Sequence, residues 1–243
     1  MTADEQPVIG GFALTWREFP APRLARDVET DRVGAAGEGD GRAFGMWVLA
    51  DPDAPLDRIT QEEFDQNDER MPYFGLIWPS AETLVARVLA GPRLDGLHVL
   101  DLGCGLGPCG FAAAARGARV TFFDWEPRAL EIVAASARRQ PISPDRVECV
   151  VGDWRTPPPI GPFDRILGAD VLYEARNAPA VADFLRPHLK PGAEAWIADP
   201  GRLHAADFPS LAQAAGLQLA GTDVLARTPN GRLMTLLRLR RPA

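Results

Sequence analysis

From Val99 to Gly107 the chain reads VLDLGCGLG: an apolar run that ends on an acid and passes straight into three glycines at alternate positions. Few folds accommodate such a stretch. A short apolar run bounded by turn residues is a strand buried on both faces. Alternating glycines let the chain turn sharply and bring backbone N–H groups against a ligand that a Cβ would hold away. Strand, glycine turn and following helix make the first βα unit of a parallel sheet, with a ligand site at the carboxyl edge. Three glycines so close together cost folding entropy without a packing return, which argues against a turn that holds nothing.

Charge decides between ligands. Gly105 to Gly110, GLGPCG, also fits the GxGxxG pattern of dinucleotide-binding turns. In those turns the first glycine directly follows the strand and the loop holds a pyrophosphate dianion. Here the strand stops at Leu102 and Asp101 lies beside the turn. A carboxylate repels a pyrophosphate but suits S-adenosylmethionine (AdoMet), which has no phosphate and carries an ammonium and a sulfonium. The turn therefore reads as an AdoMet loop, with Asp101, Gly103, Cys104, Gly105 and Gly107 as cofactor-binding residues.

From Leu97 onward, apolar runs alternate with helical patterns, the mark of a doubly covered parallel sheet. Strands are expected at His98 to Leu102, Arg119 to Phe123, Val147 to Val151, Asp164 to Ala169 and Ala195 to Ala198. Helices are expected from Ser80 to Leu89, Pro108 to Arg116, Pro127 to Arg139 and Pro179 to Leu189, the last closed by Lys190-Pro191-Gly192. Two β-rich runs, Leu217 to Ala226 and Arg232 to Arg240, join through Pro229-Asn230-Gly231, and Asn-Gly signals a hairpin. The expectation is an α/β, Rossmann-like seven-stranded sheet with helices on both faces and a C-terminal antiparallel hairpin. Residues 71–243 would form this AdoMet-dependent domain. Residues 1–70 read as a β-rich extension, with strands at Phe12 to Phe19 and Ala43 to Leu49 flanking a glycine-rich turn, Gly34 to Gly41. It either joins the main sheet or lies over the site, as a structural appendage or a substrate-recognition element.

Further site residues follow from strand ends. Asp124, about 21 positions after Gly103, stands where an acid takes both ribose hydroxyls of an adenosine; its alternative use is to cap the helix opened by Pro127. Trp125 offers a face to adenine or is plain packing. Asp153 is placed to accept the adenine amine while Trp154 walls the ring; alternatively Asp153 bonds its own turn. Trp78, just ahead of the helix before the glycine turn, is a cofactor contact or a core aromatic, as Tyr73 is. Ala169 ends the fourth strand beside the cofactor. After it comes DVLYE, whose Asp170 and Tyr173 stand where the methyl acceptor would sit. An ammonium must lose a proton before it attacks a methyl group. Asp170 can align the amine, and Tyr173 adds a π face and a hydroxyl; a helix cap is the other use of Asp170.

Composition narrows the function classes. A net charge of −7 opposes tracking along a phosphate backbone, so no nucleic acid is expected as partner. Three cysteines, Cys104, Cys109 and Cys149, form no CxxC pair and point to a reducing compartment and small apolar filler. His98, His188 and His204 form no ligand pattern, so no metal site is expected. With no membrane-length apolar run and no signal peptide in Met1 to Gln6, a cytoplasmic protein is expected.

PYFGLIWPSAETLV, VLDLGCGLG, FFD and DVLYE, in this order, resemble the seven-β-strand protein-lysine methyltransferases. ADVLY together with IADPGR (Ile197 to Arg202) is most similar to the electron-transfer-flavoprotein β-subunit lysine methyltransferases and their bacterial relatives. The match runs from about Pro72 to the C-terminus, and residues 1–70 depart from it. The resemblance implies that Asp170 and Tyr173 belong to the catalytic and substrate-binding region, that Asp101, Gly103, Gly105, Gly107 and Asp124 bind AdoMet, and that the partner is a protein presenting lysine. A methyltransferase of small amines or other N- or O-acceptors on the same fold, and a non-catalytic AdoMet-binding protein, are the alternatives.

Overall fold

A computed structural model of the chain describes residues 7–20, 42–68, 70–228 and 231–243. The expected turn at Gly34 to Gly41 and the Pro229-Asn230 pair lie outside the described residues.

The strands are β1 (Val8–Ile9), β2 (Phe12–Pro20), β3 (Arg42–Leu49), β4 (His98–Leu102), β5 (Arg119–Asp124), β6 (Val147–Val151), β7 (Phe163–Ala169), β8 (Leu189–Asp199), β9 (Gln218–Arg227) and β10 (Leu233–Arg240). The helices are α1 (Ala54–Arg58), α2 (Gln61–Gln66), α3 (Pro79–Leu89), α4 (Pro108–Ala115), α5 (Pro127–Arg138), α6 (Asn177–His188) and α7 (Phe208–Ala214). Seven strands form one sheet in the order β6-β5-β4-β7-β8-β10-β9. Strands β4 to β8 pair in parallel, while β10 runs antiparallel to both β8 and β9. The chain order reverses between β4 and β7, the switch point at which open α/β sheets bind ligands. The expected C-terminal hairpin is present, and it is its second strand that pairs with the sheet.

One boundary differs from the sequence expectation. Lys190-Pro191-Gly192 reads as a helix stop followed by loop, yet α6 ends at His188 and β8 begins at Leu189. Register explains this: Phe163 pairs with Leu189 and Arg165 already with Glu194, so the proline and Gly192, at φ 76°, fall in a bulge. A bulge is where a strand tolerates a residue without N–H.

The N-terminal strands do not join the main sheet. They form their own antiparallel sheet, β1-β2-β3, which lies on the outer side of α4 and α5. Its inward face brings Phe12, Leu14, Phe44 and Met46 into one continuous core with Phe111, Phe122, Ile132 and Val133. The Trp47 N–H donates to the buried Ser136 Oγ of α5 at 2.9 Å. The second core cluster, on the opposite face of the large sheet, joins Leu100, Leu102 and Ile166 to Phe184 and Leu185 of α6 and Phe208 of α7.

Candidate active site

The glycine turn after β4 is left-handed at all three expected positions, with φ of 62° at Gly103, 51° at Gly105 and 82° at Gly107. L-residues other than glycine rarely adopt this conformation. A Cβ on Gly107 would lie 2.8 Å from Phe122, so this glycine also lets α4 close on β5. A Cβ on Gly105 would meet nothing nearer than the Phe74 carbonyl at 3.5 Å, which leaves its backbone facing open space.

That space is a cavity of about 250 Å³ at the carboxyl edge of β4, β5 and β7, roofed by the segment from Met71 to Trp78. Asp101, Gly103, Cys104, Gly105, Asp124, Trp125, Trp154, Ala169, Asp170, Tyr173 and Trp78 all line it. Asp153 does not. Its carboxylate accepts from the Arg155 side chain and backbone and, at 3.3 Å, from Arg70. Although burial alone would push the Asp153 carboxyl up, those arginine contacts hold it below its ordinary value. Gly107, facing Phe122, serves the turn without lining the cavity.

Asp101 is buried and accepts the Gly110 N–H at 2.7 Å; burial pushes its carboxyl up to about 8. Asp124 accepts from the N–H groups of Gly105 at 2.8 Å and Glu126 at 3.0 Å, and burial pushes it to about 6. The cap of α5 is Glu126, whose side chain accepts from the Arg128 N–H, so Asp124 is not used as the helix cap. Burial raises the Cys104 and Cys109 thiols well above their ordinary value, which suits filler and removes a thiolate nucleophile from the turn. A buried pair of acids beside an open, Cβ-free backbone fits a ligand with cationic groups and ribose hydroxyls, as AdoMet has.

The other end of the cavity is aromatic. Tyr73 meets Trp78 and Tyr173 edge to face, with ring centroids 5.8 and 5.7 Å apart. Asp170, at φ 58°, is 5% exposed. The Ser80 hydroxyl donates to its Oδ2 at 3.4 Å, and Arg202 Nε donates to its Oδ1. Asp170 does not cap α6, whose N-cap is Arg176. Arg202, Ser80 and Glu126 carry no site role in the sequence reading, and Tyr73 is read there only beside Trp78 as a contact or core aromatic. Tyr73 and Ser80 sit in the quoted segment PYFGLIWPSAETLV and Arg202 in IADPGR, but the partner of Arg202 lies 32 positions away, beyond any local spacing rule. Among the described residues, no cluster of His, Cys, Asp and Glu could hold a metal ion, and no helix is long and apolar enough to cross a membrane.

Residues 99–192 match the methyltransferase domain family. The electron transfer flavoprotein beta subunit lysine methyltransferase of Xenopus laevis is 32% identical over 145 residues, 58% of this chain and 57% of that protein. The ubiquinone biosynthesis O-methyltransferase of Xylella fastidiosa is 26% identical over 162 residues, 67% of this chain and again 57% of the relative. The chain thus matches little more than half the length of either. Among solved structures, magnesium protoporphyrin IX methyltransferase from Synechocystis with bound SAM aligns with TM-score 0.57 at 20% identity, over 79% of this chain and 92% of that one. This likeness shows the Rossmann-like methyltransferase fold.

Proposed function

We propose that this chain, which carries a methyltransferase domain on the Rossmann-like seven-stranded fold, is an AdoMet-dependent methyltransferase that N-methylates lysine side chains of a protein substrate. One observation carries the acceptor reading: three aromatic rings and the buried Asp170 carboxylate share one end of the cavity. Aromatic faces can wall the alkyl stem of an amine, and the Asp170 oxygen not held by Arg202 can accept an amine N–H. The lysine methyltransferase of Xenopus laevis, at 32% identity, supports the same acceptor class.

Asp101, the glycine backbone, Asp124, Trp125 and Trp154 would hold AdoMet. When bound, it supplies a methyl group on a sulfonium, which a neutral amine displaces from sulfur. Asp170 accepts an N–H of that amine and aims its lone pair. Tyr73, Trp78 and Tyr173 wall the alkyl stem and exclude water, which orients the pair for in-line displacement.

Incubation of the protein with methyl-labelled AdoMet and cell lysate tests this reading. Label is expected on a protein band, in methylated lysine after acid hydrolysis, and label confined to small molecules would overturn the lysine assignment. Asp170→Asn, which keeps the left-handed backbone open to the new side chain, is expected to lower transfer by about 10²-fold or more while AdoMet affinity stays near wild type.

A further inference from the structure

Asp170 and Arg202 belong to different connections, after β7 and after β8, and meet as an ion pair at the acceptor end of the cavity. Arg202 is held from several sides. The backbone N–H groups of Gly201 and Arg202 donate to Asp199 Oδ1 at 2.7 and 2.8 Å, fixing the turn that presents the side chain. Its guanidinium carbon lies 5.4 Å from the centroid of the Trp78 ring. Other charged or titratable groups near the pair are Asp199, which faces both members, and Tyr73, which faces the guanidinium. Tyr173 and Glu174 follow on the β7 connection, and Asp101, Asp124 and Glu126 line the rest of the cavity.

We propose that Arg202 is a positioning residue that cancels the charge of Asp170, so that the acceptor amine enters the site as its free base. This rests on the amine reading above. A lone carboxylate in a dry pocket raises the proton affinity of a neighbouring amine by about one to three pH units. It would therefore hold an ammonium, which has no lone pair to offer. With Arg202 on Oδ1 the pair is neutral overall, and Oδ2, touched only by the longer Ser80 contact, remains to accept an N–H from an uncharged amine. The ammonium proton passes to bulk water before the amine enters, so no buried base has to take it.

The test is binding of n-butylamine, a lysine side-chain mimic, from pH 6 to 10 in protein saturated with S-adenosylhomocysteine. Wild type is expected to bind about tenfold more tightly per pH unit, toward the ordinary amine value of about 10.4. In Arg202→Met, binding at pH 7 should tighten about tenfold or more and become nearly independent of pH up to 9, because the ammonium is now the bound form. Arg202→Lys should restore the wild-type slope. Calorimetric affinity for S-adenosylhomocysteine reports whether each variant is folded, and Arg202→Gln, which keeps a donor and drops the charge, gives the same readout should the methionine variant not fold. Equal slopes in wild type and both neutral variants overturn the role of Arg202 while leaving the amine reading intact. Butylamine that binds none of these proteins at any pH overturns the amine reading and this inference with it, and failure of wild type to bind S-adenosylhomocysteine overturns the methyltransferase reading itself.

Discussion

At the scale of single residues, burial changes what a carboxylate does. Asp101 is legible in the sequence as the acid beside the glycine turn, yet position alone gives no charge state. Enclosed, it is pushed to about 8, and Asp124 to about 6, so near neutrality Asp101 holds a proton until a cation arrives. A cationic ligand favours the ionised form, so AdoMet binding near neutrality should release a proton, and affinity should climb as pH rises toward about 8. Calorimetry at pH 7 in phosphate and in Tris reads this directly: the binding heats should differ in proportion to the two buffers' ionisation heats, and equal heats would mean that Asp101 does not titrate on binding. The same shifts act on folding. A carboxyl with a raised folded-state pKa contributes stability that is fully present below its unfolded value and lost as pH rises through its folded one. The ligand-free protein should therefore melt at lower temperature as pH increases from about 4 to about 8, the window set by Asp101, with Asp124 acting up to about 6. The Asp170–Arg202 pair was not legible, because its members lie in separate connections and only the fold joins them.

At the scale of elements, periodicity and turn chemistry disclosed the parallel strands, and failed where a tertiary partner decides. Pro191 and Gly192 carry the local signature of a break, but the bulge opposite Phe163 absorbs them and β8 runs through. Alternation in β2 and β3 correctly marks a strand with one apolar face. It says nothing of what that face meets, which is α4 and α5 and not the large sheet. The contact of α4 with β5 makes a sharp demand on one position. A Cβ on Gly110 would fall within 2.8 Å of Phe122 Cζ, and the Gly110 N–H is the donor to Asp101. Gly110→Ala should cost about 1–3 kcal/mol in chemical denaturation. It should also weaken AdoMet binding, since α4 cannot move off Phe122 without carrying that N–H away from the carboxylate. A variant of wild-type stability would show that the helix yields freely there.

At the scale of the whole molecule, the N-terminal sheet and the helices beneath it share one core, with Leu14 and Met46 as fully enclosed as Phe111 and Ile132. A shared core unfolds as a unit. Native-state hydrogen exchange should give the amides of β2 and β3 the same opening free energy as those of α4 and α5, and exchange of β2 and β3 at a markedly lower free energy would mark the first strands as a separable appendage. The seven-stranded plan was readable from the order of runs and turns, but not the order in which its last members are laid down in space. Because β10 follows β9 in the chain yet lies between it and β8, a nascent polypeptide on the ribosome presents β8 with a bare lateral edge and β9 with no neighbour until Leu233 to Arg240 has emerged. A message truncated between Arg227 and Leu233 would yield a chain with that edge permanently open, a template for aggregation and a client for chaperones.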